Sequence, residues 1–148
     1  MKKLYVNGFM FDDYGMYMAF VKKLRFPPNV DWTANPYNGI GGKIESGESN
    51  IDAMIREFKE ETGVETVPSD WTLFAVCENP QWVVFYFKAF NTMLLSKVKT
   101  QDEPIVIRPA IATLDTVKHL SFLLPLSLYP NQEGVAMFRE ASDEPRYN

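Results

Sequence analysis

The chain has 148 residues and a net formal charge of −4, with a pI near 5.0. That length can bury one sizeable core, so a single domain over residues 1–148 is expected, and a composition 46% hydrophobic and 14% aromatic is enough to fill it. The acidic balance argues against a basic groove for a long nucleic acid; the lone Cys77 excludes an intrachain disulfide or a cysteine metal site, and the lone His119 excludes a histidine metal cluster or a histidine-based triad.

In chain order, Met1-Lys2-Lys3-Leu4-Tyr5-Val6 passes straight into alternation without a long apolar run, so no signal peptide is expected. Residues 4–11 and 16–24 are predicted strands joined at the turn Asp12-Asp13-Tyr14-Gly15 as a hairpin. Residues 25–36, with Pro27-Pro28 and Asn35-Pro36, form a loop. Residues 38–45 hold Gly39, Gly41 and Gly42, where backbone can approach a ligand closely, and end in a short strand. Ser49 and Asp52 have the form of a helix-opening capping box, and Gly63 stands where a left-handed residue stops a helix, which sets a helix over residues 50–62. Its apolar stripe is Ile51, Met54, Ile55, Phe58 and Thr62.

Two more strands are predicted at residues 71–78 and 82–91, parted by Asn79-Pro80-Gln81, and a further strand at 105–113. Cys77 lies in an apolar alternation and is expected to be a buried strand residue. Residues 114–129 are read as helical, with an interruption near Pro125; His119 is expected in a loop or at a helix end. The most apolar stretch, residues 120–128, is short and contains Pro125, so it cannot span a bilayer. Residues 141–148 are polar and expected to fray. Strands on both sides of one strongly patterned helix, with another helix late in the chain, predict an α/β fold: a mixed sheet sandwiched by helices.

The chemistry is concentrated on the helix over residues 50–62. Glu57, Glu60 and Glu61 are spaced i, i+3, i+4 and share one face, where three like charges are mutually destabilising unless something neutralises them. A hard divalent cation with oxygen ligands does so, and magnesium or manganese suits carboxylates best. The alternative is a solvated acidic face balanced by Lys59 and Arg56. It leaves Glu48, the glycines and the register between them without an explanation.

That register is distinctive: Gly42, then Glu48 after five residues, then after seven more the run Arg56-Glu57-Phe58-Lys59-Glu60-Glu61-Thr62-Gly63-Val64. It resembles the Nudix box, G-x5-E-x7-R-E-U-x-E-E-x-G-U with U apolar, over residues 42–64. The resemblance implies a Nudix-type α/β/α sandwich and a metal-dependent hydrolase using Mg2+ or Mn2+. It makes the carbonyl of Gly41 and the carboxylates of Glu57, Glu60 and Glu61 the metal ligands. Arg56 would pair with Glu48 to hold loop to helix, an apt match of planar fork and carboxylate. The proton acceptor is either a box glutamate or a later acidic residue. Glu103 is favoured over Asp102, against the ordinary view of that pair as an exposed turn before Pro104.

The substrate implied is a nucleoside diphosphate derivative. Tyr37-Asn38-Gly39-Ile40-Gly41-Gly42-Lys43 looks like the N-G-x-G-G-K opening of the MutT-like group, which acts on oxidised purine nucleoside triphosphates. On that likeness Asn38 either reads the base or only holds the turn before Gly39, and Lys43 either touches phosphate or is simply solvated. Trp32, Tyr37 and Trp82 are candidates for stacking on a base or for ordinary packing. Three functions follow: a pyrophosphohydrolase for triphosphates such as 8-oxo-dGTP, giving monophosphate and pyrophosphate; a hydrolase of ADP-ribose, a dinucleoside polyphosphate or an RNA cap; and a non-catalytic nucleotide sensor. Small-molecule nucleotides are the expected partners, with no membrane, a cytoplasmic location, and a homodimer as the commonest arrangement of a small enzyme.

Overall fold

The computed structural model describes residues 1–25, 36–111, 116, 118–130 and 132–140. Trp32, most of the predicted loop over 25–36 and the C-terminal residues 141–148 lie outside the described residues.

The sheet is built on β1 (Lys3–Phe11) and β2 (Tyr17–Lys22). They are joined by a turn in which Asp12 Oδ1 accepts from the Tyr14 and Met16 N–H groups at 3.2 and 2.9 Å. The hairpin pairs only at Phe11 and Met18 before its strands part. One extended run fills the wedge. Its first piece, β3 (Tyr37–Asn38), pairs antiparallel with Lys22 and Val21 of β2; its second, β4 (Ile40–Lys43), pairs antiparallel with Tyr5 to Gly8 of β1. The glycine segment thus changes partner at Gly39.

On its other side β1 runs parallel to β6 (Trp82–Phe90) along its whole length. β5 (Thr72–Glu78) is antiparallel to β6, and β8 (Ala136–Arg139) adds parallel to β5. β7 (Ile105–Pro109) lies antiparallel to β2 at the opposite side. The result is an eight-stranded mixed sheet.

Both faces of the sheet are covered, which is why β1 and β2 are nearly continuous apolar runs. Val6, Met10, Ala19, Val21, Phe87 and Ala89 meet Met54 and Phe58 of α1 (Asn50–Thr62). Phe9, Phe11, Met18, Phe20 and Tyr86, one residue out of step, meet Leu120, Leu123 and Leu124 of α3 (Leu120–Ser127). The expected α/β/α sandwich is borne out. α1 has the bounds its caps predict: Ser49 Oγ accepts from the Asp52 N–H at 3.2 Å, and Gly63 closes the helix at φ 77° with its N–H on Lys59 O at 2.8 Å.

Some expectations need correction. Pro125 does not interrupt the late helix but sits inside α3. Only one backbone N–H is lost in so short a helix, and burial of Leu120, Leu123 and Leu124 in the turn before Pro125 holds it together. The strand predicted for 105–113 ends at Pro109, and β2 is shorter than residues 16–24. Neither α2 (Thr92–Leu95), the 3-10 turn Pro68–Asp70, nor β8 was anticipated. Cys77 is buried in β5 as expected, with its thiol pushed up to about 12 by burial. His119 stands at the start of α3, its Nε2 2.7 Å from Glu140 Oε1. Among the described residues no helix is long and apolar enough to cross a membrane.

Ser49→Ala should cost about 1 kcal/mol through the lost cap, and Gly63→Ala about 1–2 kcal/mol through the left-handed backbone. Both are measurable as shifts in urea midpoint with unchanged m-value.

Candidate active site

The loop after β4 and the helix α1 meet at Arg56. Its Nε donates to Glu48 Oε2 at 2.7 Å and its Nη2 to Glu48 Oε1 at 2.8 Å, a two-pronged match. The same Nη2 donates to the Lys43 carbonyl at 2.9 Å. Nη1 turns the other way, to Glu57 Oε1 at 2.9 Å and Glu60 Oε2 at 3.3 Å. All five guanidinium N–H groups are therefore used. Glu48 also accepts from the Glu45 N–H at 3.1 Å, which folds the loop back on itself. Hydrogen bonding to Arg56 holds the Glu48 carboxyl at about 2, and Glu48 in turn raises the Arg56 guanidinium above its already high value.

The three glutamates of α1 fan across the helix. Glu57 is buried, and its carboxylate lies flat against the backbone of Gly42: a β-carbon there would stand 2.5 Å from the Glu57 carboxyl carbon. Gly42 is thus required by close approach. Burial pushes the Glu57 carboxyl up, against the opposing pull of Arg56. Glu60 is the most exposed of the three. Glu61 is half-buried, and its Oε2 is buried with no hydrogen-bond partner among the described residues. Burial raises the Glu61 carboxyl too, with the Lys23 charge working the other way.

Glu103 arrives from the loop before β7 and is not the exposed turn residue that its position before Pro104 suggests. It is 4% exposed. Its Oε1 accepts from Lys23 Nζ at 2.7 Å, and its Oε2 from the Leu24 and Arg25 N–H groups at 2.6 and 3.3 Å. Burial opposes its charge, but Lys23 and the two N–H groups outweigh it and hold the carboxyl below its usual range. Asp102 is exposed and paired with Arg25. The loop is fixed to the end of α1 by the Lys99 N–H on Thr62 O at 3.0 Å. Glu61 and Glu103 are therefore neighbours that share the field of Lys23.

Asn38, Lys43 and the aromatic candidates are placed as follows. Asn38 Oδ1 accepts from the Gly39 N–H at 2.8 Å, so the residue does hold the turn. Lys43 is exposed and pairs across the sheet with Tyr5, which puts both on one face. A cleft of ≈ 560 Å³ opens there, lined by Lys3, Tyr5, Gln81 and Trp82 among others. The Tyr37 ring is covered by the Arg108 guanidinium, 4.3 Å from its centroid. Tyr5 was missed from the sequence, although an aromatic residue in the alternation of the first strand was a signal for it. Lys23 was missed because its partner is eighty residues away.

Among the described residues, no three carboxylate, imidazole or thiol groups close on one point. Arg56 lies between Glu57 and Glu60. The donors nonetheless fit a hard divalent cation: all are oxygens, two carboxylates are raised by burial, one buried carboxylate oxygen is bare, and the exposed Glu60 is held only by long contacts of 3.3 and 3.4 Å from Arg56.

A family model for the NUDIX domain matches residues 1–121. A comparison with curated proteins finds no match. Among solved structures the fold is similar to a mutator MutT protein from Bacillus halodurans, with TM-score 0.67 and 18% identity over 95% of this chain and 92% of that one. It is also similar to a MutT protein from Methanosarcina mazei Go1, with TM-score 0.60 and 18% identity over 85% and 90% of the two chains. An ADP-ribose pyrophosphatase from Streptococcus suis gives TM-score 0.57 and 15% identity over 93% and 99%.

Two outcomes test the Arg56 hub. Arg56→Ala should lose about 3 kcal/mol, since it leaves Glu48 and Glu57 partly buried and unpaired. The Glu48 carboxyl is lowered from its ordinary 4.5 to about 2 in the folded protein, so its stabilisation is complete above pH 4.5 and is lost as pH falls toward 2. Urea unfolding of Glu48→Gln between pH 5 and pH 2 should show a shallower loss than the parent; an identical slope would show that the pair contributes nothing.

Proposed function

The chain belongs to the NUDIX domain family and is a Nudix hydrolase; on that premise we propose that it cleaves the pyrophosphate bond of a nucleoside triphosphate, an oxidised purine such as 8-oxo-dGTP being the favoured case, to the monophosphate and pyrophosphate. The observation that carries the proposal is the bare, buried Glu61 Oε2, on a carboxylate that burial raises, beside Glu57, which burial also raises, in a chain of net charge −4. An acidic wall of this kind binds a polyphosphate only through a cation.

Glu57, Glu60, Glu61 and the Gly41 carbonyl would hold that cation, Mg2+ or Mn2+. When bound it neutralises phosphate charge, polarises the phosphorus and acidifies the attacking water. Arg56 and Glu48 fix the loop against α1, so that Gly41 and Glu57 keep their spacing; theirs is a positioning role. Glu103 takes the proton from the water. It is ionised, it adjoins Glu61, and among the described residues its Oε1 accepts from Lys23 alone, which leaves one lone pair for the water. Lys43, on the face of the Tyr5 and Trp82 cleft, would meet phosphate while the aromatic rings take the base. Asn38 would contact the base edge. A lone buried Cys77 is compatible with the cytoplasm, which is the proposed location.

A second substrate class, ADP-ribose, is kept because the fold also resembles an ADP-ribose pyrophosphatase. Phosphate and pyrophosphate release with magnesium, across normal triphosphates, 8-oxo-dGTP, ADP-ribose and diadenosine polyphosphates, separates the two. Pyrophosphate from triphosphates supports the proposal; turnover of ADP-ribose alone replaces it. Glu60→Gln and Glu61→Gln should abolish turnover while unfolding transitions stay cooperative, and surviving activity would remove them from the metal site. Glu103→Gln should lower kcat by about 10²–10⁴ with KM little changed; an unaltered kcat would return the base to the box glutamates.

A further inference from the structure

Lys88 is the single charged residue of β6, in the run Phe85-Tyr86-Phe87-Lys88-Ala89-Phe90. The strand lies inside the sheet, with Phe9 of β1 beside Lys88 on one side and Thr72 of β5 on the other. Its side chain stands on the α3 face. Nζ donates to the Ser127 carbonyl, at the end of α3, at 3.0 Å, and lies 5.7 and 6.0 Å from the centroids of the Phe74 and Phe90 rings. Those are its partners among the described residues, and none is a carboxylate. Burial pushes the ammonium below its ordinary range.

Capping α3 explains part of this. Ser127 O is one of the carbonyls a helix leaves over, and a cation is favourable at a helix C-terminus. The rest is not explained. An ammonium has three donors, and Ser127 takes one. A methionine would fill the same place between the rings without desolvating a charge.

Lys88 also lines a cavity of ≈ 430 Å³ between the β1–β2 turn and the end of α3, a volume suited to a small ligand. Tyr14, Phe90 and Tyr129 line it too, and all three are exposed. Its walls are tied together. Asp13 Oδ1 accepts from the Thr92 N–H at 3.0 Å, and Thr92 Oγ1 accepts from the Asp13 N–H at 2.8 Å. Gly15, at φ 69°, packs so closely that a β-carbon would stand 2.9 Å from Leu128 Cδ2. One cation and three rings suit an anion with a flat apolar body. Its charge must be single. Asp13 lines the same cavity and the carbonyl end of α3 is negative, so a second negative charge would meet repulsion with one cation to answer it.

We propose that this cavity is a second binding site, for a small aromatic carboxylate, with Lys88 as its anchor. It is separate from the box glutamates. Glu57 lies over Gly42, which pairs with Val6 and faces α1, whereas Lys88 lies beside Phe9 and faces α3.

The test titrates the full chain with benzoate, with its neutral counterpart benzamide and with the dianion phenyl phosphate, following backbone amide resonances. Benzoate should bind at about millimolar concentration and shift Gly15, Lys88 and Leu128 together. Benzamide should bind at least about tenfold more weakly, and Lys88→Met should lose benzoate by a similar factor. Lys88→Arg keeps the charge and should retain binding, as should Lys118→Met, which removes an exposed charge elsewhere. Equal binding of benzoate and benzamide, or full binding in Lys88→Met, overturns the anchor. Tighter binding of phenyl phosphate overturns the carboxylate class, and shifts that miss these three residues, or no shifts, overturn the site. Should Lys88→Met lose cooperative unfolding, benzoate against benzamide on the parent decides alone.

Discussion

Arg56 is the interaction on which the site depends. One guanidinium uses five donors on a loop carboxylate, a backbone carbonyl and two helix carboxylates. A lysine has three donors and no fork, so it could not hold the loop flat while also facing Glu57. Because Arg56 joins residues on either side of the turn, the position of Gly42 over Glu57 is fixed by the same side chain that balances the glutamates. Loop geometry and charge balance are one constraint.

The charges around it divide between two cations. Arg56 answers Glu48, Glu57 and Glu60; Lys23 answers Glu103 and acts at a distance on Glu61. Five carboxylates against two cations leave an excess of negative charge in a partly buried place. Water cannot fully relieve it there, which is why Glu57 and Glu61 are raised and not lowered.

What the sequence made legible was local. α1 could be read to the residue because its caps, stripe and carboxylate spacing lie within fifteen positions of one another. The Arg56–Glu48 pair spans eight. The misses are non-local or depend on packing. β8 exists only because β5 offers it a parallel edge some sixty residues earlier in the chain, and no periodicity in its four residues announces that. Glu103 looked like an exposed turn because Lys23 lies far away in sequence. Pro125 looked like a break because propensity ignores the leucines around it, which the core buries. Asn7 carried a visible sign, a polar residue in an apolar strand, but its side-chain partner Asn38 lies thirty-one residues further along the chain.

The strand that changes partner at Gly39 also acts as a ruler. Asn38 lies on the piece held by β2 and Gly41 on the piece held by β1, so neither end can slide without breaking a ladder. Three residues of extended chain span roughly 10 Å, the scale of the distance from a nucleobase to the phosphates of its own nucleotide. A ligand bridging the two ends is gauged for length before any chemistry begins. Drift in this family member can then retune side chains at either end freely, but a one-residue insertion between them would turn every following side chain to the opposite face and put the gauge out of step.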